Sequence, residues 1–410
     1  ARRTAPRSTS GWTRRTSGIP AAVVRSAAIS AQDSDNFYCG DAAGHFYRTS
    51  DAGANWSMTY ANSGELTDIE IDPAQPQVIY ISGYYLQRSN DYGQTFSEID
   101  DVSSAYCIAI HPDSSSPVFC GTGFDGIYRS NDAGSTWEQV NSGLPSNDIL
   151  CLAIDPDNHA VIWSGTNQGG IARSTNSGDS WQVIGLAGED KVVAIAINPG
   201  LSSEILAGTG YQNSGKIYKS TDAGATWSAK ISGIGYPYQI KHDPRNSQFV
   251  YAATEGSAAL RSTDAGETWH DFSDGIFYPL MYALDIAEQA DSVLLIAGSF
   301  GSGLYGMHPG LNACLENPGD GPAIKGVTLT VHPNPCHKSV VIDYQLPVPG
   351  QVRIDIYDAL GRIVKSLFDD VQPAGNHRIS RDMLDLRAGT YFCRLAATGR
   401  RVMKKFVIMD

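Results

Sequence analysis

Apolar runs of strand length recur through the first three quarters of the chain. AVVRSAAIS (22–30), LTDIEIDP (66–73), AYCIAIHP (105–112), ILCLAIDP (149–156), VVAIAINP (192–199), PYQIKHDP (237–244) and LMYALDIA (280–287) make seven, several ending in a proline turn. Each precedes a second run, such as VFCGTG (118–123) or ILAGTG (205–210), and then a third such as GIYRS (126–130). Near-continuous apolar runs bounded by turn signals predict strands buried on both faces, and the first run of each unit takes the innermost place. No long helical periodicity appears. The chain reads as all-β.

Between the third run and the next polar strand stands a box, clearest at Tyr218–Trp227 (YKSTDAGATW). Its core is Ser-x-Asp-x-Gly-x-Thr-Trp. The Asp and aromatic positions are Asp51 and Trp56, Asp91 and Phe96, Asp132 and Trp137, Asn176 and Trp181, Asp222 and Trp227, and Asp264 and Trp269. The aromatic positions lie 40, 41, 44, 46 and 42 residues apart. Repetition at this period, with four short strands per unit, predicts propeller blades. Within the box, Asp accepts hydrogen bonds from backbone N–H groups ahead of it, and Gly supplies a positive φ.

Trp12-TRRT-Ser17-Gly18 has the spacing of Trp137-EQVN-Ser142-Gly143, and Trp12 lies 44 residues before Trp56. The last unit, ending at SFGSGLYGMHPG, has three strands and no box. The strand after Trp12 can supply the fourth, closing the ring so that no sheet edge stays open. Residues 1–309 are therefore expected to form a seven-bladed β-propeller, with six blades as the runner-up. Residues 310–324 read as a Pro- and Gly-rich linker. Residues 325–410 hold seven strand-length runs and suggest a small immunoglobulin-like β-sandwich. LFDDVQPAG and RDMLDLRAG are assigned to loops within it, and DALGR to a tight turn.

The net charge of -13 is uneven. Residues 1–20 carry five Arg and no acid, residues 325–410 carry 13 basic and 8 acidic side chains, and the segment between them is at -23. So acidic a body repels phosphate backbones, which excludes nucleic acid as a partner. Seven Cys without a CxxC pair do not make a disulfide scaffold, although Cys107 and Cys120 could face each other across a hairpin. No run of 18 apolar residues is present, so no transmembrane segment is expected. Residues 1–12 lack the apolar centre of a signal peptide, which implies prior removal or a start within a longer chain.

The box resembles the Asp-box, or BNR repeat, of sialidases, two-propeller xyloglucanases, sortilin-type receptors and photosystem-assembly propellers. That resemblance implies a propeller with its boxes between third and fourth strands, at the rim and away from any active site. Residues 325–410 resemble the C-terminal sorting domain of type IX secretion cargo. The matching features run from His332-Pro333-Asn334-Pro335 through Ile342-x-Tyr344-x-Leu346-Pro347 and Ile356-Tyr357-Asp358-x-x-Gly361-Arg362. They continue with Ala374-Gly375-x-His377, Leu386-x-Ala388-Gly389-x-Tyr391-Phe392-x-Arg394-Leu395 and Lys404-Lys405. Arg381-Asp382 departs from the family's common Trp-Asp. The resemblance implies engagement of the type IX machinery through residues 325–410, and a protein secreted or held on the outer-membrane surface of a Bacteroidetes-like bacterium.

Candidate chemistry is sparse. A sialidase centre needs three convergent arginines, but Arg48, Arg88, Arg129, Arg173 and Arg261 each precede a box and belong to the repeat. The Arg-Ile-Pro motif is absent. A glycosidase needs two carboxyls roughly 5–10 Å apart. On the face opposite the boxes the candidates are Asp125, Glu189, Asp190 and Glu255, beside the other loop acids Asp41, Asp101 and Asp274. The same loops carry Tyr84, Tyr85, Phe124, Asn167, Gln168, Tyr211, Tyr236, Tyr238, Phe277 and Tyr278, with Gln212, Asn213 and Phe300 near them. Aromatic platforms beside amides and acids suit a sugar or a protein surface. The nine His are scattered without HExxH or clustered spacing, so neither a metal nor another cofactor is expected. Three readings follow: a binding propeller for a glycan or protein, a glycoside hydrolase on the same scaffold, and a component that self-assembles through blade faces.

Overall fold

The structure, a computed structural model, describes residues 12–19, 23–33, 35–61, 64–210, 214–276, 280–288, 293–307, 328–337, 339–346, 349–358, 363–397 and 400–409. They form two compact units. The larger holds seven four-stranded antiparallel sheets, and the smaller holds two further sheets. Sheets I to VI span residues 24–61, 68–103, 105–139, 149–185, 192–232 and 237–271, each a meander in chain order. Sheet VII comprises Met281–Glu288, Val293–Ser299 and Gly303–Met307, and its fourth strand is Thr13–Arg14 from the chain start. The first strand of each sheet packs on that of the next, and sheet VII packs on sheet I. This is a β-propeller.

Burial corrects one expectation. The second strands are buried throughout, as in Phe37–Asp41, Val118–Thr122 and Val250–Thr254. The innermost strands alternate, as Val24–Ile29 and Val192–Ile197 do. The reason is geometric: seven first strands cannot meet at the axis, and they leave a channel that solvent enters.

N-terminal closure is built from repeated contacts. The Trp56 amide donates to Ser17 O at 2.9 Å, Trp181 to Ser142 O at 2.8 Å, and Trp12 to Asp274 O at 2.7 Å. The glycine that follows each acceptor, Gly18, Gly143 or Gly275, has a positive φ, and a Cβ there would lie within 2.4 Å of the Trp carbonyl. Only glycine fits. Trp12 therefore occupies in sheet VII the place of a box tryptophan. On the other side the Arg15 guanidinium donates to Ala52 O in the box of sheet I. Arg129 and Arg173 reach the corresponding carbonyls, Ser177 O and Ala223 O, across neighbouring sheets. Arg129 and Arg173 are ties between sheets.

The box geometry recurs almost unchanged. In sheet III, Ser130 Oγ donates to Asp132 Oδ1 at 2.8 Å and accepts the Gly134 N–H at 2.7 Å. Asp132 Oδ1 accepts the Thr136 amide, and its Oδ2 the Thr136 hydroxyl at 2.6 Å. Ala133 and Gly134 both have positive φ, as do the matching pairs in sheets I, II, IV, V and VI. Hydrogen bonds to the charged form hold Asp51 and Asp132 down at about 2, and in Asp91 they outweigh burial to the same effect. A carboxylate depressed in the fold contributes stability above its unfolded value near 4 and loses it as pH falls toward 2. The melting temperature is accordingly expected to drop between about pH 4 and 2. The triple variant Asp51→Asn, Asp91→Asn, Asp132→Asn should show a shallower drop in a pH series of thermal melts. Asn176 already occupies this place in sheet IV: its Oδ1 accepts from Ser174 Oγ and the Ser180 amide as the aspartates do, and its Nδ2 donates to Ser180 Oγ.

The smaller unit pairs a three-stranded sheet, Thr328–His332, Ser339–Leu346 and Gly375–Asp382, with a four-stranded one. The latter runs Ile363–Gln372, Gly350–Asp358, Gly389–Ala397 and Arg400–Ile408. Alternate residues of these strands form the core, with Val340, Ile342, Tyr344, Ile354, Ile356, Leu395 and Phe406 buried together. One assigned loop is mostly strand, LFDDVQ ending Ile363–Gln372, and the other, RDMLDLRAG, is a loop over 383–388 with Arg381-Asp382 ending Gly375–Asp382 and Gly389 opening Gly389–Ala397. Ladder pairing with Gly350–Asp358, and Leu367 turned inward, override the polar composition of the first. Pairing with Ser339–Leu346 does so for Arg381-Asp382. The turn assigned to DALGR includes 359–362, outside the described residues.

Candidate functional site

The first strands enclose a channel of about 650 Å³ lined from all seven sheets. Its upper mouth, on the face opposite the boxes, is shaped by one backbone device. In six of the seven sheets the ladder between first and second strands slips at the second residue of the first strand. A bulge re-aims the side chain it frees. The freed residues are Arg25, Tyr106, Leu150, Val193, Tyr238 and Tyr282, and every one of them lines the channel. Sheet II has no such slip.

At the mouth, Arg25 lies 4.3 Å from the Tyr282 ring centroid and is ion-paired to Glu65. Tyr238 stands 4.9 Å from Tyr282 and stacks on Tyr236 at 5.5 Å. Burial pushes the phenols of Tyr238 and Tyr282 up, and Glu255 pushes both further. Tyr106 opens toward solvent on the other side.

Lower in the channel one ladder position carries Ala28, Glu70, Ala109, Ala153, Ala196, Lys241 and Asp285 in sheets I to VII. Four alanines share this position with three charged side chains. Lys241 Nζ is 3.7 Å from Asp285 Oδ1 and keeps 36% of its side-chain surface open. Asp285 Oδ2 accepts the Ile29 amide of sheet I at 2.8 Å, and Asp68 Oδ2 accepts the Ile108 amide of sheet III at 2.9 Å. Both aspartates thus join neighbouring sheets. Depth among protein atoms pushes Asp68 up to about 6, and depth plus the charge of Asp68 pushes Glu70 up to about 8. Lys241 moves up too: burial opposes its charge, but Asp285, Glu70 and Asp68 outweigh burial.

Of the residues singled out from sequence, Tyr236 and Tyr238 meet at this mouth, with Glu255 within electrostatic reach. Tyr84 and Tyr85 form an edge-to-face pair at 4.8 Å on the same face, and Phe124 is 77% exposed there. Asp125 shapes its own turn, its amide donating to Thr122 Oγ1. Asn167 donates to Asp148 Oδ2 at 2.7 Å, and the Gln168 amide to Asp190 O. Glu189 accepts from Tyr218 at 2.6 Å, Lys216 at 2.9 Å and Thr209 at 3.2 Å. Burial alone would raise its pKa, but these donors and the Lys216 charge bring it down. It is held as an anion by its own sheet. Asp41 is buried and caps its turn through the Ala43 and His45 amides. Tyr211, Phe277 and Tyr278 lie outside the described residues. Sequence reading looked to loops and passed over Arg25, Tyr106, Tyr282, Asp68, Glu70, Lys241 and Asp285. The available signal was charge inside apolar first-strand runs, as in LTDIEIDP.

Residues 330–409 match the secretion system C-terminal sorting domain, and residues 84–187 match the model described as Sortilin, neurotensin receptor 3. The smaller unit is a type IX sorting domain, and the chain is exported to the bacterial surface or beyond it. No helix among the described residues is long and apolar enough to cross a membrane. No curated protein sequence matches the chain. Among solved structures it is similar to YCF48 from Cyanidioschyzon merolae, at 16% identity over 73% of this chain and 99% of that one, TM-score 0.54. It is also similar to the GH74 xyloglucanase from Xanthomonas campestris, at 17% identity over 82% and 59%, TM-score 0.57. PorZ, a surface component of the type-IX secretion system of Porphyromonas gingivalis, is similar at 14% identity over 92% and 58%, TM-score 0.51. At such identities the likeness is one of fold.

Proposed function

We propose that this exported protein is a non-catalytic binding propeller, with residues 1–309 as seven blades, and that it takes an extracellular glycan at the upper channel mouth. The carrying observation is the group of Tyr236, Tyr238 and Tyr282 around Arg25, presented by bulges at the opening of a 650 Å³ channel. Flat aromatic faces beside charged hydrogen-bonding groups suit the apolar face and hydroxyl edge of a sugar ring. A glycan array probed with the full chain should give specific binding. Tyr238→Ala should weaken it about tenfold or more, as central aromatic anchors do, without loss of folded structure by circular dichroism.

A hydrolytic reading has one observation in its favour: Glu70, held protonated near neutral pH, stands two residues from Asp68 on one strand. That is the arrangement of an acid beside an anion. Against it, Asp68 and Asp285 are each committed to a backbone amide. A panel of chromogenic glycosides separates the readings. Turnover abolished by Glu70→Gln would replace binding with hydrolysis.

A further inference from the structure

On the box-side face, the turns that follow the first strands of sheets III and IV bring His111, Asp113 and His159 together. One nitrogen of each imidazole and one Asp113 oxygen lie within 4.8 Å of one another. The two rings meet edge to face with centroids 4.2 Å apart. We propose that this trio binds a first-row divalent metal ion of the zinc type, bridging sheets III and IV beside the lower end of the channel.

The protonation pattern suits ligation. His159 Nε2 lies 3.0 Å from the Pro156 carbonyl, so it carries the proton and leaves the Nδ1 lone pair free. A carbonyl fixing one ring nitrogen is the usual outer support of a metal-bound histidine. In His111, Nδ1 accepts only the Asp113 amide, at a long 3.2 Å. Its lone pair is therefore on Nδ1 as well, and a metal ion would replace one weak bond. Tetrahedral zinc with bonds near 2.0–2.1 Å needs donors roughly 3.3 Å apart. Asp113, whose side chain is 78% exposed, is free to turn its carboxylate toward the two Nδ1 atoms. Two imidazoles and one carboxylate favour zinc, nickel or copper over magnesium or calcium, which want oxygen shells. Three protein ligands leave one position for water.

Sequence spacing hid the trio, because the histidines are 48 residues apart and become neighbours only through adjacent turns. Titration of ZnCl₂ into the full chain, stripped with EDTA, should show a site lost on mutation. His111→Ala and His159→Gln should each weaken it at least tenfold, and Asp113→Asn by a smaller factor. MgCl₂ should give no comparable heat. CoCl₂ should give the intense visible bands of a four-coordinate ion, absent in His159→Gln. Should either histidine variant fail to fold, the exposed Asp113→Asn carries the comparison. Zinc affinity unchanged in all variants that fold, or only the weak six-coordinate cobalt spectrum, would overturn the site.

Discussion

Trp12→Ala is expected to cost about 3–5 kcal/mol, the range for deleting a buried tryptophan. Trp12 is buried, its indole N–H donates to Phe272 O at 2.7 Å, and its backbone holds Asp274. Its loss leaves a cavity and an unsatisfied carbonyl in the same place. It also loosens Thr13–Arg14, the fourth strand of sheet VII, whose pairing with Gly306 and Tyr305 is short. By the usual scaling the larger unit should melt on the order of 5–15 °C lower, measurable by scanning calorimetry. Trp12→Phe should recover most of this, because it keeps the packing and loses one hydrogen bond worth about 1 kcal/mol. A Trp12→Ala penalty below about 1 kcal/mol, far under the usual cost of such a cavity, would mean that three strands hold sheet VII unaided.

The second large effect is a dependence of stability on pH that runs opposite to that of the boxes. Glu70 is pushed up to about 8 in the fold. Between its unfolded value near 4.3 and about pH 8 the unfolded chain gives up a proton that the folded chain keeps. Stability from this group is complete below about pH 4 and falls as pH rises through about 8. Asp68, raised to about 6, adds a smaller fall over a narrower range. Glu70→Gln should therefore match the parent at about pH 4 and exceed it at about pH 8 by on the order of 1–3 kcal/mol, once channel solvent is allowed to screen the charges. Urea unfolding across that range of pH gives the comparison. A parallel pH dependence in both proteins would place the titration elsewhere.

Much of the fold was legible because it is periodic. Trp12 could be aligned on Trp56 and Trp137 from spacing alone, and the geometry at Gly275 repeats that at Gly18 and Gly143. The sorting domain was legible from an ordered set of short motifs. The proposed binding site was not, and the reason is physical. The slips that turn Arg25, Tyr106 and Tyr282 into the channel are one-residue changes of register, and they leave no mark on composition. Loop acids such as Glu189 looked free in sequence but are claimed by their own sheet through Lys216 and Tyr218. Glu70 and Lys241 belong together only because seven ladders align, which no local window displays.

The pairing of Thr13 with Gly306 joins residues 293 apart, while sheets I to VI are built from neighbouring hairpins. Local ladders form quickly, and long-range closure is slow because the chain between must surrender its freedom first. For a wholly flexible loop of that length the entropic term is about 5 kcal/mol plus a constant. Sheets already stacked shorten the effective loop, so the clasp is reached last, after six sheets have brought its halves together. Contacts made after the transition state act on the rate of opening and leave the rate of folding alone. The lifetime of the closed ring outside the cell is therefore set at Trp12 and its strand, however stable the individual sheets are.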